Sequence, residues 1–281
     1  MLFQLVARRL PDTSVAEAKA LVRAGAVYMG HLRVRVPSVR VATGERITVY
    51  PEAKSIAPLS DDALIVVHRG EDFVVVDKPA GVPVAQTKAS ARGTLAEALR
   101  RRLEGEGVLR PYVGVVHRLD QTASGLVLFT IRSVANKSLH KQFSEHRIER
   151  TYRLRVHGTP PDGAFACDAP LTEARGGRVE VATAGGGRAA RTEFRRLDAV
   201  ADGPGALLQA ALHTGRTHQI RVHAAHLGLP LVGDRKYGPR DDDAERMHLH
   251  AYRLRFDHPV TGEKVDVRAA LPDWASTPAD E

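Results

Sequence analysis

Apolar and polar positions divide this chain into a short helical opening and a long remainder dominated by strand-like runs. Ser14-Val15-Ala16-Glu17 fits a capping box, with Ser14 at the N-cap and Glu17 three residues on. The spacing predicts a helix from there to about Ala24, stopped by Gly25 in a left-handed conformation. Val15, Ala18, Leu21 and Val22 fall on one helical face, and Lys19 and Arg23 share another. Ala26-Val27-Tyr28, a turn at Gly30 and Leu32-Arg33-Val34-Arg35-Val36 follow; the alternation puts Arg33 and Arg35 on the wet side of a half-buried strand. A turn at Thr43-Gly44-Glu45 leads into Ile47-Thr48-Val49. Residues 1–50 thus read as a compact helix-plus-hairpin module, 51–62 as an aperiodic linker and 63–281 as a second domain.

Within 63–281 strand-like runs occupy 64–67, 73–77, 113–116 and 126–130, with helical patterns at 95–103 and 133–145. Segment 173–190, with Gly185-Gly186-Gly187 inside it, reads as a surface loop or hairpin tip. The mixture predicts an α+β domain on a largely antiparallel sheet.

Composition bounds the partners. Hydrophobic residues make up 43% of the 281 and charged residues 26%, which suits a soluble globular protein. No apolar run is long enough to span a bilayer, and the opening Met1 to Arg9 lacks the order of a secretory signal, so a cytoplasmic protein without a membrane partner is expected. A single cysteine, Cys167, without a neighbouring histidine argues against a thiol nucleophile. The net charge is +8, and residues 1–50 hold eight of the 41 Lys/Arg but only three of the 33 Asp/Glu. That concentration points to a polyanion such as nucleic acid, against the plainer reading of a solvated charged face.

Two segments carry candidate chemistry. Val115-Val116-His117-Arg118-Leu119-Asp120, then Ser124-Gly125-Leu126-Val127, delivers His, Arg and Asp between apolar strands, where charge must be paired or hydrated. Asp120 in that position is a candidate nucleophile, general base or charge stabiliser; the plainer reading is an Arg–Asp pair steadying a turn. The second segment runs from His213 to His223. Its helix, from Thr217 to Gly228, puts His218, Arg221 and Ala225 on one face and Ile220, Ala224 and Leu227 on another. Arg221 could hold Asp120 ionised, because a guanidinium does not surrender its proton. The Gly215 turn before Arg216 could offer N–H groups to a phosphate. Tyr152 lies on an alternating strand with Arg150, Arg153 and Arg155, an aromatic face beside cations that suits a nucleobase, or else ordinary core packing. His213, His218, His223 and His226 cluster without a His-Glu-x-x-His pattern, so no metal is expected, with a metal-dependent hydrolase kept as the alternative.

His117-Arg118-Leu119-Asp120 with Ser124-Gly125 resembles the signature of the RluA-type pseudouridine synthases. Four further segments resemble that family in order: 75–81, Arg150-Thr151-Tyr152, 214–223 with 233–238, and Leu249-His250-Ala251. Residues 1–50 resemble the RNA-binding module of ribosomal small-subunit protein four. The resemblance implies a pseudouridine synthase fold with a mixed sheet and central cleft, no cofactor, and conversion of uridine to pseudouridine in structured RNA, ribosomal (large-subunit) ahead of transfer RNA, by a monomer. It implies that Asp120 is the catalytic aspartate, that Tyr152 stacks on the target base, that Arg221 pairs with the aspartate and that Arg118 fills the stack left by the flipped nucleotide. Lys19, Arg23, Arg33, Arg35 and Arg216 are the expected RNA contacts. Ala123 stands where the family usually has Thr, which affects hydroxyl bonding near Asp120. The competing class is an RNA-binding or assembly factor that keeps the fold without turnover.

Overall fold

The structure is a computed structural model that describes residues 1–51, 59–86, 93–174, 177–183, 185–197 and 205–278. Most of the expected linker, residues 52–58, lies outside the described residues. Two compact units emerge: Met1–Leu64 with Val82–Pro111, and Ile65–Gly81 with Tyr112–Glu281. The 82–111 segment of the first unit lies inside the stretch assigned by sequence to the second domain.

In the first unit, helices α1 (Leu2–Arg9) and α2 (Val15–Ala24) precede a three-stranded antiparallel sheet of β1 (Val27–Met29), β2 (Leu32–Val34) and β3 (Ile47–Val49), in the order β2-β1-β3. The α2 capping box forms as expected: Glu17 N–H donates to Ser14 Oγ at 3.2 Å and Ser14 N–H to Glu17 Oε2 at 2.7 Å. Gly25 closes the helix at φ 78°. Leu2 and Val6, four apart on α1, bury with Ala18, Val22 and Val27, so α1 was legible from the same spacing rule but not anticipated. Four positions depart from the expected pattern. Val15 is exposed at the first turn of α2, and Leu32 and Val36 are exposed while Arg33 is half-buried. The reason is that β2 is a three-residue edge strand of which Val34 is the residue reaching the core. Arg33 instead donates to Tyr28 Oη, with its guanidinium 5.1 Å from that ring. Helix α3 (Leu95–Gly105) completes the unit; Thr94 Oγ1 accepts from Glu97 N–H at 3.2 Å.

The second unit is built on ten strands. They are β4 (Ile65–Arg69), β5 (Phe73–Lys78), β6 (Gly114–Val115), β7 (Ser124–Thr130), β8 (Glu149–Val156), β9 (Ala164–Cys167), β12 (Thr192–Arg196), β13 (Ala206–Leu212), β14 (Leu249–Asp257) and β15 (Lys264–Arg268). The order is β4-β5-β7-β14-β8-β13-β12-β9, with β6 on β7 and β15 on β14. Among the described pairs every one is antiparallel except β7–β14. A separate hairpin, β10 (Leu171–Glu173) with β11 (Val179–Val181), overlaps the start of the 173–190 segment expected as a surface loop or hairpin tip.

Two helices pack on this sheet. Helix α4 (Val134–Ser144) buries Ala135 and Leu139 against Phe73, Leu126, Leu128 and Phe256. Helix α5 (Gln219–His226) buries Ile220 and Ala224 against Leu154, Phe194, Leu208 and Leu249. Burying Leu139 and Ile220 contributes roughly 1.5–3 kcal/mol each, and the two alanine methyls less. Leu227, expected on that inner face, is exposed because α5 ends one residue earlier and Leu227 is its C-cap.

Candidate active site

The β6–β7 hairpin places Asp120. Gly114 pairs with Thr130 and Val115 with Phe129, after which residues 116–123 leave the sheet as a loop. His117 fastens its base: Nε2 accepts from Leu128 N–H at 2.9 Å, and the ring stacks on Phe143 at 4.7 Å. Burial, then the charge of Arg150, pushes the His117 imidazole down to about 3, so it stays a neutral acceptor. The far end of the loop is tied to the turn after β5. Gly81 N–H donates to Gln121 O at 2.8 Å, Gln121 Nε2 to Gly81 O at 2.9 Å, and the buried Lys78 Nζ to Gln121 O and Pro79 O at 3.0 Å each. Gly125, where β7 meets β14, has φ 108°, and a Cβ there would lie 2.3 Å from Ala251 O. Only glycine permits that approach.

Asp120 meets Arg221 as the spacing predicted. Arg221 Nη1 donates to Asp120 Oδ2 at 2.9 Å. The other half of the guanidinium grips Asp234 with two parallel bonds, Nε to Oδ2 and Nη2 to Oδ1, both 2.7 Å. Asp234 Oδ1 also accepts from the backbone N–H groups of Lys236 (2.9 Å) and Tyr237 (3.1 Å). Burial alone would pull the Arg221 guanidinium down, but hydrogen bonds and charge from Asp234, then from Asp120, push it above its ordinary value. Burial would likewise raise Asp234; the Arg221 bonds and charge outweigh it and hold the carboxyl low. Asp234 is fully enclosed, whereas 21% of the Asp120 side chain remains accessible. One carboxylate is therefore structural and the other is presented.

Other groups surround that carboxylate. His218 Nε2 stands 3.9 Å from Asp120 Oδ1, and its Nδ1 hydrogen-bonds Tyr237 Oη at 2.8 Å. Tyr237 lies under Arg221, 5.0 Å from centroid to guanidinium carbon. Burial lowers Lys78 to about 7 against the charges of Asp120 and Asp77, and raises Asp77 to about 6 against Lys78. Tyr152 on β8 is buried beside Ala251 and Ala210. Its phenol is raised by burial, lowered by Arg150 and raised again by Asp120, so the carboxylate's field reaches it. Ala123 sits in the core, and its N–H closes a turn on Asp120 O at 3.2 Å. Thr122 supplies the hydroxyl there instead, directed at Met247 Sδ.

The cations expected around Tyr152 separate. Arg153 and Arg155 are buried on the opposite face of β8, as strand alternation requires; Arg155 donates to Trp274 O and Gly205 O. Arg150 remains on the Tyr152 side and donates to Thr214 O at 3.0 Å. Arg118 is exposed on the Asp120 loop, and Arg216 donates Nε–H to Ala189 O at 2.9 Å. In the first unit Arg23 and Arg35 are exposed, while Lys19 lies 4.8 Å over the Phe3 ring.

The four histidines go separate ways. His223 is enclosed between Thr192 Oγ1 and Ala169 O, His213 reaches Glu193, His218 bonds Tyr237, and His226 is exposed. Among the described residues no three His, Cys, Asp or Glu side chains gather as a metal site. Cys167 is buried on β9, where burial pushes its thiol up. Sequence reasoning missed Asp234, Lys78 and Tyr237 as parts of the site. The 233–238 segment was noticed, but nothing in its spacing showed that its aspartate would share Arg221.

This arrangement agrees with the comparisons to known proteins. The profile of the RNA pseudouridylate synthase family matches residues 72–226. An uncharacterized RNA pseudouridine synthase of Chloroflexus aurantiacus is 38% identical over 275 residues, covering 96% of this chain and 85% of that protein. The ribosomal large subunit pseudouridine synthase D of Zymomonas mobilis is 35% identical over 259 residues, covering 85% and 80%. Among solved structures, human RNA pseudouridylate synthase domain containing 1 superposes with TM-score 0.63 at 28% identity, over 77% of this chain and 87% of that one. The chain belongs to the RNA pseudouridylate synthase family, of the RluA type. It is an isomerase that acts on RNA.

Two measurements check this electrostatic reading. Asp234→Ala leaves a buried guanidinium half-paired and should lower unfolding stability by about 3–5 kcal/mol in a denaturant titration; a loss under about 1 kcal/mol would contradict it. His250 accepts or donates at Ser124 Oγ (2.9 Å), and burial lowers its imidazole to about 4. The unfolded chain takes up that proton below about pH 6.5 while the folded chain refuses it until about 4, so stability should fall across that window by on the order of 3 kcal/mol. In His250→Asn the fall should be visibly shallower.

Proposed function

We propose that Asp120 is the catalytic carboxylate and that the substrate is large-subunit ribosomal RNA, in the cytoplasm, with transfer RNA as the second candidate. The observation that carries the assignment is the asymmetry just described. Arg221 is immobilised by enclosed Asp234, and only then holds Asp120, the member of the trio open to a substrate. An ionised oxygen kept in place without being buried is what each route to pseudouridine requires. Attack at C1′, attack at C6 and removal of the C2′ proton all begin from it. The N1–C1′ bond must then break, and the uracil must turn and bond C1′ through C5, giving up the C5 proton as N1 gains one, without escaping, which favours a stiff site over a mobile one.

The other residues take supporting roles. The Tyr152 phenol, raised by burial, stays protonated near neutral pH and offers a flat face to the base. Arg118, exposed on the same loop, suits the gap in the stack left when a nucleotide turns outward. Flipping costs a few kcal/mol, offset by contacts to flanking RNA. We assign part of those contacts to residues 1–50 as a module of the ribosomal small-subunit protein four type. Arg23 and Arg35 meet phosphate directly there, while Lys19 and Arg33 are partly engaged with Phe3 and Tyr28. The large-subunit target is supported by relatives such as synthase D of Zymomonas mobilis, whose name carries it.

Asp120→Asn should abolish pseudouridine formation on large-subunit ribosomal RNA while RNA affinity stays within about threefold; full turnover by the variant would refute the assignment. Charge reversal at Arg23 and Arg35 together should weaken RNA binding and flatten the slope of log K against log salt by roughly 1 for each phosphate no longer neutralised. An unchanged slope would mean that this face is merely solvated.

A further inference from the structure

A cavity of 410 Å³ lies between the β10–β11 hairpin and the Gly215–Thr217 turn that leads into α5. Leu171, Thr172, Val179, Arg188, Arg216 and Thr217 form most of its lining, with Glu173 at one side. None of these residues belongs to the Asp120–Arg221–Asp234 trio. Yet Thr217 directly precedes His218, whose ring stands 3.9 Å from Asp120, so the cavity borders the reaction site.

Its walls are built rather than incidental. Arg188 is pinned to β10 by two backbone bonds, Arg188 N–H to Leu171 O at 2.8 Å and Leu171 N–H to Arg188 O at 3.0 Å. The opposite wall is pinned by Gln219, whose Oε1 accepts from Arg216 N–H at 3.0 Å and Thr214 Oγ1 at 2.7 Å. Gln219 Nε2 in turn donates to Arg191 O and Thr192 Oγ1, both at 3.0 Å. Among the described residues the Arg216 guanidinium donates only Nε–H, to Ala189 O. Among the described residues neither the Arg188 nor the Arg216 guanidinium meets a carboxylate within ion-pair distance. Burial first, and then the positive charge of Arg188, holds Arg216 below its ordinary value. Two guanidiniums thus line one cavity, and an anion seated there would offset the charge they share.

The lining also selects the kind of anion. Among the described residues its lining contains no aromatic ring, so a base is not gripped by stacking, and the recognition falls on sugar and phosphate. Threonine hydroxyls and two guanidiniums suit phosphodiester oxygens. Glu173 repels a second phosphate from its own side and can accept from a ribose hydroxyl. The volume admits about one nucleotide. We infer that this cavity seats the sugar–phosphate of one ribonucleotide flanking the reacting uridine, with Arg188 and Arg216 on its phosphate. The inference rests on the function proposed above and specifies where the neighbouring RNA is held.

The test uses the full chain and transcribed large-subunit ribosomal RNA, with binding measured as a function of salt and turnover measured separately. Arg188→Ala should raise the apparent Kd about five- to tenfold near 0.1 M salt and flatten the salt slope by about 0.7–0.9. Thr172→Trp fills the cavity without changing charge and should raise the Kd comparably with the slope also reduced. Long-range attraction alone would leave that variant unaffected and would overturn the inference. Pseudouridine formed by the wild type, with both variants binding as it does, also overturns the inference and leaves the proposed function intact. Absence of pseudouridine from the wild type, with both variants impaired in binding, removes the proposed reaction and upholds the RNA seat. Uridine 5′-monophosphate, titrated as the free-nucleotide source, should compete only in the millimolar range; micromolar competition abolished by Thr172→Trp would assign the cavity to a free nucleotide instead.

Discussion

A single guanidinium divided between two carboxylates is the constraint on which this site depends. Taking a lone arginine and a lone aspartate out of water is unfavourable, and their attraction repays it only when the remaining hydrogen-bonding positions are also filled. Asp234 fills them: two bonds to Arg221 and two from backbone N–H groups leave it enclosed and satisfied. Arg221 then has one nitrogen left to direct at Asp120. The accessible carboxylate is positioned by a partner that cannot rotate away, since rotation would break the enclosed pair first.

That pair is held by elements distant in sequence. The Asp120 loop hangs from β6 and β7 and is laced to the turn after β5 through Lys78 and Gln121, while Arg221 comes from α5, whose apolar side is seated on β8, β13 and β14. Tyr237 joins two of these regions, with its hydroxyl accepting from Val179 N–H on the β10–β11 hairpin and bonding the His218 ring. The hairpin and the neighbourhood of Asp120 are therefore linked by two consecutive hydrogen bonds. Rigidity here is a property of the connections more than of any one strand.

Much of this was legible in the sequence because local rules sufficed. The capping box at Ser14, the Gly25 stop, the helices over 95–103 and 133–145, and the Asp120–Arg221 pairing each follow from spacing within one element or from complementary charge. What escaped was set by contacts across the fold. Arg153 and Arg155 read as cations flanking Tyr152, but the alternation of β8 turns them to the other face. Leu227 read as core, but α5 stops before it. Asp234 lies 13 residues from Arg221 in an irregular segment, where no periodicity announces a partner. Lys78 directly follows the strand-like run 73–77, where nothing in the spacing marks a lysine as enclosed, yet it is buried with its ammonium donating to carbonyls of two loops.

The parallel join between β7 and β14 has a consequence for biogenesis. β14 occupies the middle of the sheet, between β7 and β8, yet it is the second-last strand to be synthesised, and the close approach of Gly125 to Ala251 cannot form without it. In a nascent polypeptide emerging in order, β7 can pair with β5 and β6, and β8 with β13, but the edges that β7 and β8 turn towards each other stay open until residues 249–257 leave the exit tunnel. The strand that carries the Asp120 loop into the sheet thus gains its last neighbour from the penultimate strand, which joins the two halves of the sheet only near the end of synthesis.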